Sequence, residues 1–100
     1  MNYITVVRGK LKSADEKQAQ MGHDAAVDKL SPMSRPIGAV GHRAYLNPQN
    51  HREFLAVDTW DNLEGLQKFL TDPNVGAEFA KLFDGQPDVT IWGESGWRSF

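Results

Sequence analysis

The stretch that decides the fold is Phe54-Leu55-Ala56-Val57-Asp58-Thr59-Trp60, followed by residues 61–73, Asp-Asn-Leu-Glu-Gly-Leu-Gln-Lys-Phe-Leu-Thr-Asp-Pro. Successive side chains of a β-strand point to opposite faces, so we predict a strand over 53–60. Its two faces divide into Phe54, Ala56, Asp58 and Trp60 on one side and Leu55, Val57 and Thr59 on the other. The spacing then changes to that of a helix, with apolar residues at Leu63, Leu66, Phe69 and Leu70. A strand followed directly by an amphipathic helix is therefore expected.

Downstream of this stretch, Thr71-Asp72-Pro73 interrupts the helix and restarts it. Asp is a good N-cap and Pro is favoured at the first helical position. The continued helix carries an apolar stripe of Val75, Phe79, Leu82 and Phe83. Gly85 and Pro87 end it, and residues 89–92 predict a last short strand.

Upstream, residues 3–11 are rich in β-branched side chains and predict a first strand. Ser13 and Glu16 have the spacing of a capping box, which predicts a helix over 14–30. Two prolines within 31–36 are expected to end that helix. Residues 38–46 predict a second strand, and the turn-forming segment 47–50 joins it to the third strand as an antiparallel hairpin.

The resulting order βαββαβ is the ferredoxin-like arrangement of the α+β class. It predicts a four-stranded antiparallel sheet with two helices on one face. The other face of the sheet then lacks a cover, and Trp92, Trp97 and Phe100 add apolar surface. A second copy packing sheet against sheet would cover it, so we expect a homodimer.

Composition limits the classes of function. The 100 residues are 40% hydrophobic and 24% charged, which is typical of one globular domain over 1–100. A net charge of −2 argues against nucleic-acid partners, and the absence of a long apolar run argues against a membrane partner. Without cysteine there is no disulfide or thiolate metal site, and without a visible signal sequence we expect a cytoplasmic protein.

From Phe54 to Pro73 the sequence resembles the antibiotic biosynthesis monooxygenase-like domains of the dimeric α/β barrel superfamily. The shared pattern is an acidic residue, any residue and Trp at the end of the third strand, here Asp58 and Trp60. An acid-rich cap and a helix interrupted near Thr71 follow. The resemblance implies a homodimer with a pocket between sheet and helices in each subunit. The family includes cofactor-independent oxygenases of polycyclic phenols and heme-degrading enzymes.

The heme-degrading branch carries a Trp in the second helix and an iron-ligating His ten residues later. Counted from Trp60, these positions fall at Phe69 and Phe79. A phenyl ring has no lone pair for iron, so we do not expect heme degradation by that mechanism. The resemblance to the cofactor-independent oxygenases implies that no cofactor is needed.

Among the histidines, His23 lies on the apolar stripe of the first helix, where it should face the sheet. It is either a hydrogen-bonded core residue or a proton acceptor in the pocket, because imidazole ionises near neutral pH. His42 lies mid-strand and faces either the pocket or the dimer interface, and His51 is expected to be a solvated loop residue.

Asp58 is the alternative base, or it forms an ion pair with Arg8, Arg43 or Arg52. The predicted catalytic residues are therefore His23 and Asp58. The predicted substrate-binding residues, which would hold a ring or orient its oxygen atoms, are Tyr45, Trp60, Arg43, His42 and Phe79. No metal ligands are predicted.

Three functions remain open on this evidence. The first is a cofactor-independent monooxygenase for a small aromatic or quinol-like substrate. The second is a non-catalytic dimer that binds a small apolar ligand or acts as a stress-related accessory protein. The third is a structural dimer whose cavity is filled by Phe69, Phe79 and Phe83.

Overall fold

The computed structural model describes residues 2–100 and shows an α+β fold built on one antiparallel sheet. The elements are β1 (Tyr3–Lys10), α1 (Glu16–Ser34), β2 (Ala39–Asn47), β3 (Asn50–Trp60), α2 (Leu63–Leu70), α3 (Pro73–Leu82) and β4 (Asp88–Gly93), with a short 3-10 turn at Arg35–Ile37. The strand order is β2-β3-β1-β4. This confirms the predicted ferredoxin-like order, with the second helix divided into α2 and α3.

The central strand β3 has the two faces that its alternation predicts. Phe54, Ala56 and Trp60 are buried toward the helices. In β1, Val7 lies opposite Ala56 and Thr5 lies opposite Asp58, so these residues share that face. The core forms here because apolar strand residues meet Leu11, Ala19 and Phe83 from the surrounding segments.

Helix α1 begins and ends later than the sequence predicts. Its N-cap is Asp15, whose carboxylate accepts a hydrogen bond from the Gln18 amide, and Ser13 instead accepts one from the Asp15 amide. Pro32 lies inside the last turn rather than after the helix. A proline so close to the C-terminus costs one backbone hydrogen bond but leaves the next donors in place, and the Arg35 amide still donates to the Ser31 carbonyl.

The break between α2 and α3 follows the predicted chemistry. Asp72 caps α3 by accepting from the Asn74 amide, and Pro73 occupies the first helical position. At the start of α2, Asn62 accepts from the Gly65 amide. Gly65 packs so closely on the 3-10 turn that a Cβ atom would lie 1.8 Å from the Ile37 carbonyl oxygen. Only glycine permits this approach of two backbones.

The second face of the sheet is open to solvent in the single chain. It presents Ile4 and Val6 from β1 and Val57 from β3, all partly exposed. Trp92 on β4 is 58% exposed, and Trp97 and Phe100 in the C-terminal tail are more exposed still. Among the described residues, no helix has the length and apolar character needed to cross a membrane.

Candidate functional site

A cavity of about 290 Å³ lies between α1, the sheet and α3. Most of its wall is apolar, with Leu30 from α1, Phe54 from β3 and Phe79 from α3. Phe69, Phe79 and Phe83 line the cavity and leave it open, which favours the two hypotheses that require space for a ligand. The volume is at the lower end of the range of small-molecule sites, so it suits a small ligand.

A chain of polar side chains ends at this cavity. The Thr5 hydroxyl donates to Asp58 Oδ2 at 3.2 Å, and the other Asp58 oxygen accepts from His42 Nδ1. His42 Nε2 lies 2.8 Å from His23 Nε2, and His23 Nδ1 lies 2.9 Å from Asp24 Oδ1. His23, His42 and Asp58 all line the cavity. One continuous network therefore runs from β1 through β3 and β2 to α1.

The strands and the helix each fix one member of this network. His42 and Asp58 are directly opposite each other in the β2–β3 ladder, so their side chains project from the same face. His23 projects toward them from the inner face of α1, and its side chain is 18% exposed. The predicted orientation of His23 toward the sheet agrees with this placement.

The pKa of His42 is raised above its ordinary value. The main cause is the hydrogen bond to Asp58, and the negative charge of that carboxylate adds to it, while partial burial of the ring acts in the opposite direction. A nearby carboxylate stabilises imidazolium, so His42 holds its proton to higher pH than a free imidazole does.

Trp60 adds an unpartnered donor to the site. It lines the cavity, is 2% exposed and packs against Phe69 with ring centroids 5.3 Å apart. Its indole Nε1 is buried and has no hydrogen-bond partner within residues 2–100. Buried N–H groups are nearly always paired, so this donor is suited to an oxygen atom of a ligand.

Glu78 lines the cavity from α3 and is held by two lysines. Its oxygens lie 2.9 Å from Lys81 Nζ and 3.5 Å from Lys29 Nζ on α1. The hydrogen bond from Lys81 lowers the pKa of Glu78, with a smaller effect from the charge of Lys29. The carboxylate therefore links α3 to α1 as an ion pair.

Two predicted substrate-binding residues lie outside the cavity. Arg43 and Tyr45 are on the open face of the sheet, opposite Val57 and Leu55, and Tyr45 is 51% exposed. His51 is exposed, as expected, although it belongs to β3 rather than to a loop, and it pairs with Glu16 at 2.7 Å.

None of the three arginines considered as partners of Asp58 pairs with it in the described chain. Arg8 and Arg43 lie on the open face, and Arg52 donates to the backbone carbonyls of Leu11 and Lys12. Asp58 pairs with His42 instead, a contact that the sequence reasoning missed. The pairing register of β2 and β3 places His42 opposite Asp58. That register cannot be counted from the hairpin turn, because the ladder shifts between Leu46 and Asn47.

No family model and no curated protein matches this sequence. Among solved structures, SnoaB, a cofactor-independent oxygenase from Streptomyces nogalater, superposes with a TM-score of 0.74 at 10% identity, over 96% of this chain and 95% of that chain. A Bordetella bronchiseptica protein provisionally named an antibiotic biosynthesis monooxygenase gives 0.73 at 11% identity, over 93% and 96%. The chain has the antibiotic biosynthesis monooxygenase-like fold.

Rv0793 from Mycobacterium tuberculosis is similar over 99% of this chain and 100% of its own, with a TM-score of 0.65 at 14% identity. At such identities the similarity concerns the monooxygenase-like fold, because one fold can carry unrelated reactions. Within residues 2–100 no group of three or more His, Cys, Asp or Glu side chains is placed to hold a metal ion.

Proposed function

We propose that the protein is a cofactor-independent monooxygenase that acts on a small aromatic phenol or quinol in the cavity beneath α1. The observation that carries the proposal is the Asp58–His42–His23 network, which ends at an otherwise mostly apolar cavity. An apolar cavity with a few convergent polar groups is the usual form of a small-molecule site. The similarity in fold to SnoaB supports the same class of reaction.

Each group has a role in this chemistry. The apolar wall, with Phe54 and Phe79, holds the ring, and the Trp60 indole N–H donates to a substrate oxygen. A substrate oxygen that enters the site separates the Nε2 atoms of His23 and His42, and one of them then exchanges a proton with the substrate. Asp58 orients His42, because one of its oxygens accepts from His42 Nδ1 while the other is held by the Thr5 hydroxyl.

The substrate supplies all the electrons for such a reaction. Loss of a proton gives a substrate anion that O₂ oxidises directly. A CH₂ group then becomes C=O with one oxygen atom of O₂, and its two hydrogens leave as water with the other oxygen atom. The protein needs to bind the ring, move the proton and stabilise the negative oxygen.

Oxygen consumption with dithranol, an anthrone, tests this proposal, with a protein-free reaction to subtract autoxidation. His23→Ala should lower turnover by about 10²-fold, the usual contribution of a positioned acid–base group. His51→Ala is the matched control, because His51 lies on the same sheet but outside the cavity. Wild-type turnover equal to the protein-free rate for one-, two- and three-ring phenols and anthrones would reject the oxygenase.

Non-catalytic binding of the same ligands is the second candidate function. It is favoured by the pairing of the two Nε2 atoms with each other, which leaves neither free as a base in the ligand-free chain. Thermal stabilisation by phenols without oxygen consumption would identify this function.

We infer in addition that two chains associate through the open face of the sheet. The face exposes Val6, Val57 and Trp92 without a cover from the same chain. Apolar surfaces of this kind usually mark an interface. The C-terminal tail, with Trp97 and Phe100, would then pack on the partner subunit.

A further inference from the structure

We propose that His23 and His42 share one proton between their Nε2 atoms, and that this proton makes the cavity a site for a ligand with an ionised oxygen, such as a phenolate or an enolate. The proton count follows from the geometry alone. The aromatic nature of the ligand rests on the proposed function, whereas the requirement for a negative or strongly accepting oxygen does not.

The proton count begins with the two Nδ1 atoms. His42 Nδ1 faces Asp58 Oδ1, and His23 Nδ1 faces Asp24 Oδ1 at 2.9 Å. An ionised carboxylate only accepts hydrogen bonds, so both Nδ1 atoms carry a proton. If both rings were neutral, each Nε2 would then be a lone pair, and two lone pairs would face each other at 2.8 Å.

Such a contact is repulsive unless one proton lies between the two nitrogens. A single proton converts it into a charge-assisted N–H···N hydrogen bond between an imidazolium and an imidazole. A second proton would place two N–H groups and two positive charges head to head. The pair is therefore built to hold one proton on its Nε2 atoms.

The charged groups around His23 and His42 are compatible with one shared proton and its positive charge. Asp58 faces it from β3 and Asp24 from α1, while Glu78 on α3 and Arg35 after α1 line the same cavity. β1 contributes only the uncharged Thr5, through its bond to Asp58. The two neighbouring carboxylates stabilise the positive charge, in agreement with the raised pKa of His42.

The hydrogen-bonding groups of the cavity then select the ligand. Both Asp58 oxygens accept hydrogen bonds from the protein, and both Glu78 oxygens face lysine ammonium groups. The donors that remain for a ligand are the buried Trp60 indole N–H, the Arg35 guanidinium and, once a ligand oxygen separates the two nitrogens, the shared proton. A ligand that meets these donors must bring an acceptor, and an ionised oxygen is the strongest one available to a small organic molecule.

Nitrogen-15 NMR of the histidine rings tests the proton count directly. At about pH 7.5 a histidine with the ordinary pKa of about 6.5 is about 90% neutral. We expect three protons on the four ring nitrogens of His23 and His42, with one distributed over the two Nε2 atoms. Two protons in total at that pH, or a bare Nδ1 on either ring, would overturn the proposal. This measurement uses the unmodified chain, so it does not depend on the folding of a variant.

Ligand binding tests the selectivity for an ionised oxygen. At about pH 8 the unmodified chain should bind 4-nitrophenol, largely as its anion, at least about 10-fold more tightly than 4-nitroanisole, which has similar shape but no ionisable hydroxyl. His23→Leu should reduce this preference severalfold, and the matched surface variant His51→Leu should retain it. Equal affinity for the two compounds in the unmodified chain would overturn the ligand assignment.

The NMR and binding experiments can succeed or fail independently of the oxygen-consumption assay. Selective nitrophenolate binding without oxygen consumption would support the shared-proton site and reject catalysis. Oxygen consumption without the three-proton spectrum would support catalysis and reject the shared proton.

Discussion

Replacement of Asp58 by Asn should destabilise the fold by an amount that depends on pH. Asn has nearly the same size and can still accept from His42 Nδ1, but it lacks the negative charge. Hydrogen bonds to charged groups contribute about 1.5–3 kcal/mol, against about 0.5–1.5 kcal/mol for neutral ones. The side chains of His42 and Asp58 are 34% and 23% exposed, so solvent screens the difference to about 1 kcal/mol or less.

The direction of the pH dependence follows from His42. Its pKa is raised in the folded chain, chiefly by the hydrogen bond to Asp58. The stabilisation from this pair is therefore fully present below the unfolded pKa of about 6.5 and is lost as the pH rises through the folded pKa. Asp58→Asn should cost most near pH 6 and less near pH 9.

Urea unfolding at these two pH values, at one protein concentration, measures the effect. We expect Asp58→Asn to lower the free energy of unfolding by about 1 kcal/mol near pH 6, or about 4–8 °C in Tm. Asp28→Asn, at an exposed position of α1, is the matched control and should change it by less than about 0.5 kcal/mol. An equal cost at both pH values, or a larger cost near pH 9, would refute the role assigned to the His42–Asp58 pair.

Three further predictions concern the packing, the assembly and the cofactor. Gly65→Ala should lower the free energy of unfolding by more than about 3 kcal/mol, because the added Cβ would overlap the Ile37 carbonyl. The control Gly76→Ala, in open space on α3, should be neutral or stabilising, and equal urea midpoints for the two variants would contradict this prediction. Sedimentation at micromolar concentration should give a mass of about twice 11.2 kDa, and a monomer would exclude the sheet-to-sheet dimer. Deletion of residues 97–100 should weaken the association of the two chains and lower Tm. Titration with hemin should produce no histidine-ligated Soret band, since Phe79 offers no ligand, and a stoichiometric band would show that another residue binds the iron.

The parts of the fold that the sequence predicts are those set by short-range pattern. In β3 the alternation identifies the buried face, because this strand lies in the sheet interior with the helices on one side only. His23 faces the sheet because it shares a helical stripe with Ala19 and Leu30. The break at Asp72 and Pro73 follows from capping chemistry that acts within one turn.

The network of Asp58, His42 and His23 is harder to predict from the sequence, because it depends on how β2 pairs with β3. Whether His42 or another residue of β2 lies opposite Asp58 is decided by the shift in the ladder near Asn47. A displacement of one residue moves every side chain of a strand to the other face. The same uncertainty explains why the sequence-based prediction places Arg43 and Tyr45 in the cavity, although they lie on the open face.

The separate capping of α2 and α3 has a consequence for how this protein can diversify. Helix α2 is anchored to the rest of the chain through Gly65 and the fully buried Leu66, so its sequence is tightly constrained. Helix α3 starts anew at its own cap and places Glu78 and Phe79 at the cavity. Substitutions on α3 can therefore change the size and charge of the cavity while the α2 anchor stays intact. The cavity-facing positions of α3 can therefore alter ligand preference, while Phe69 of the anchored α2 keeps its part of the cavity wall.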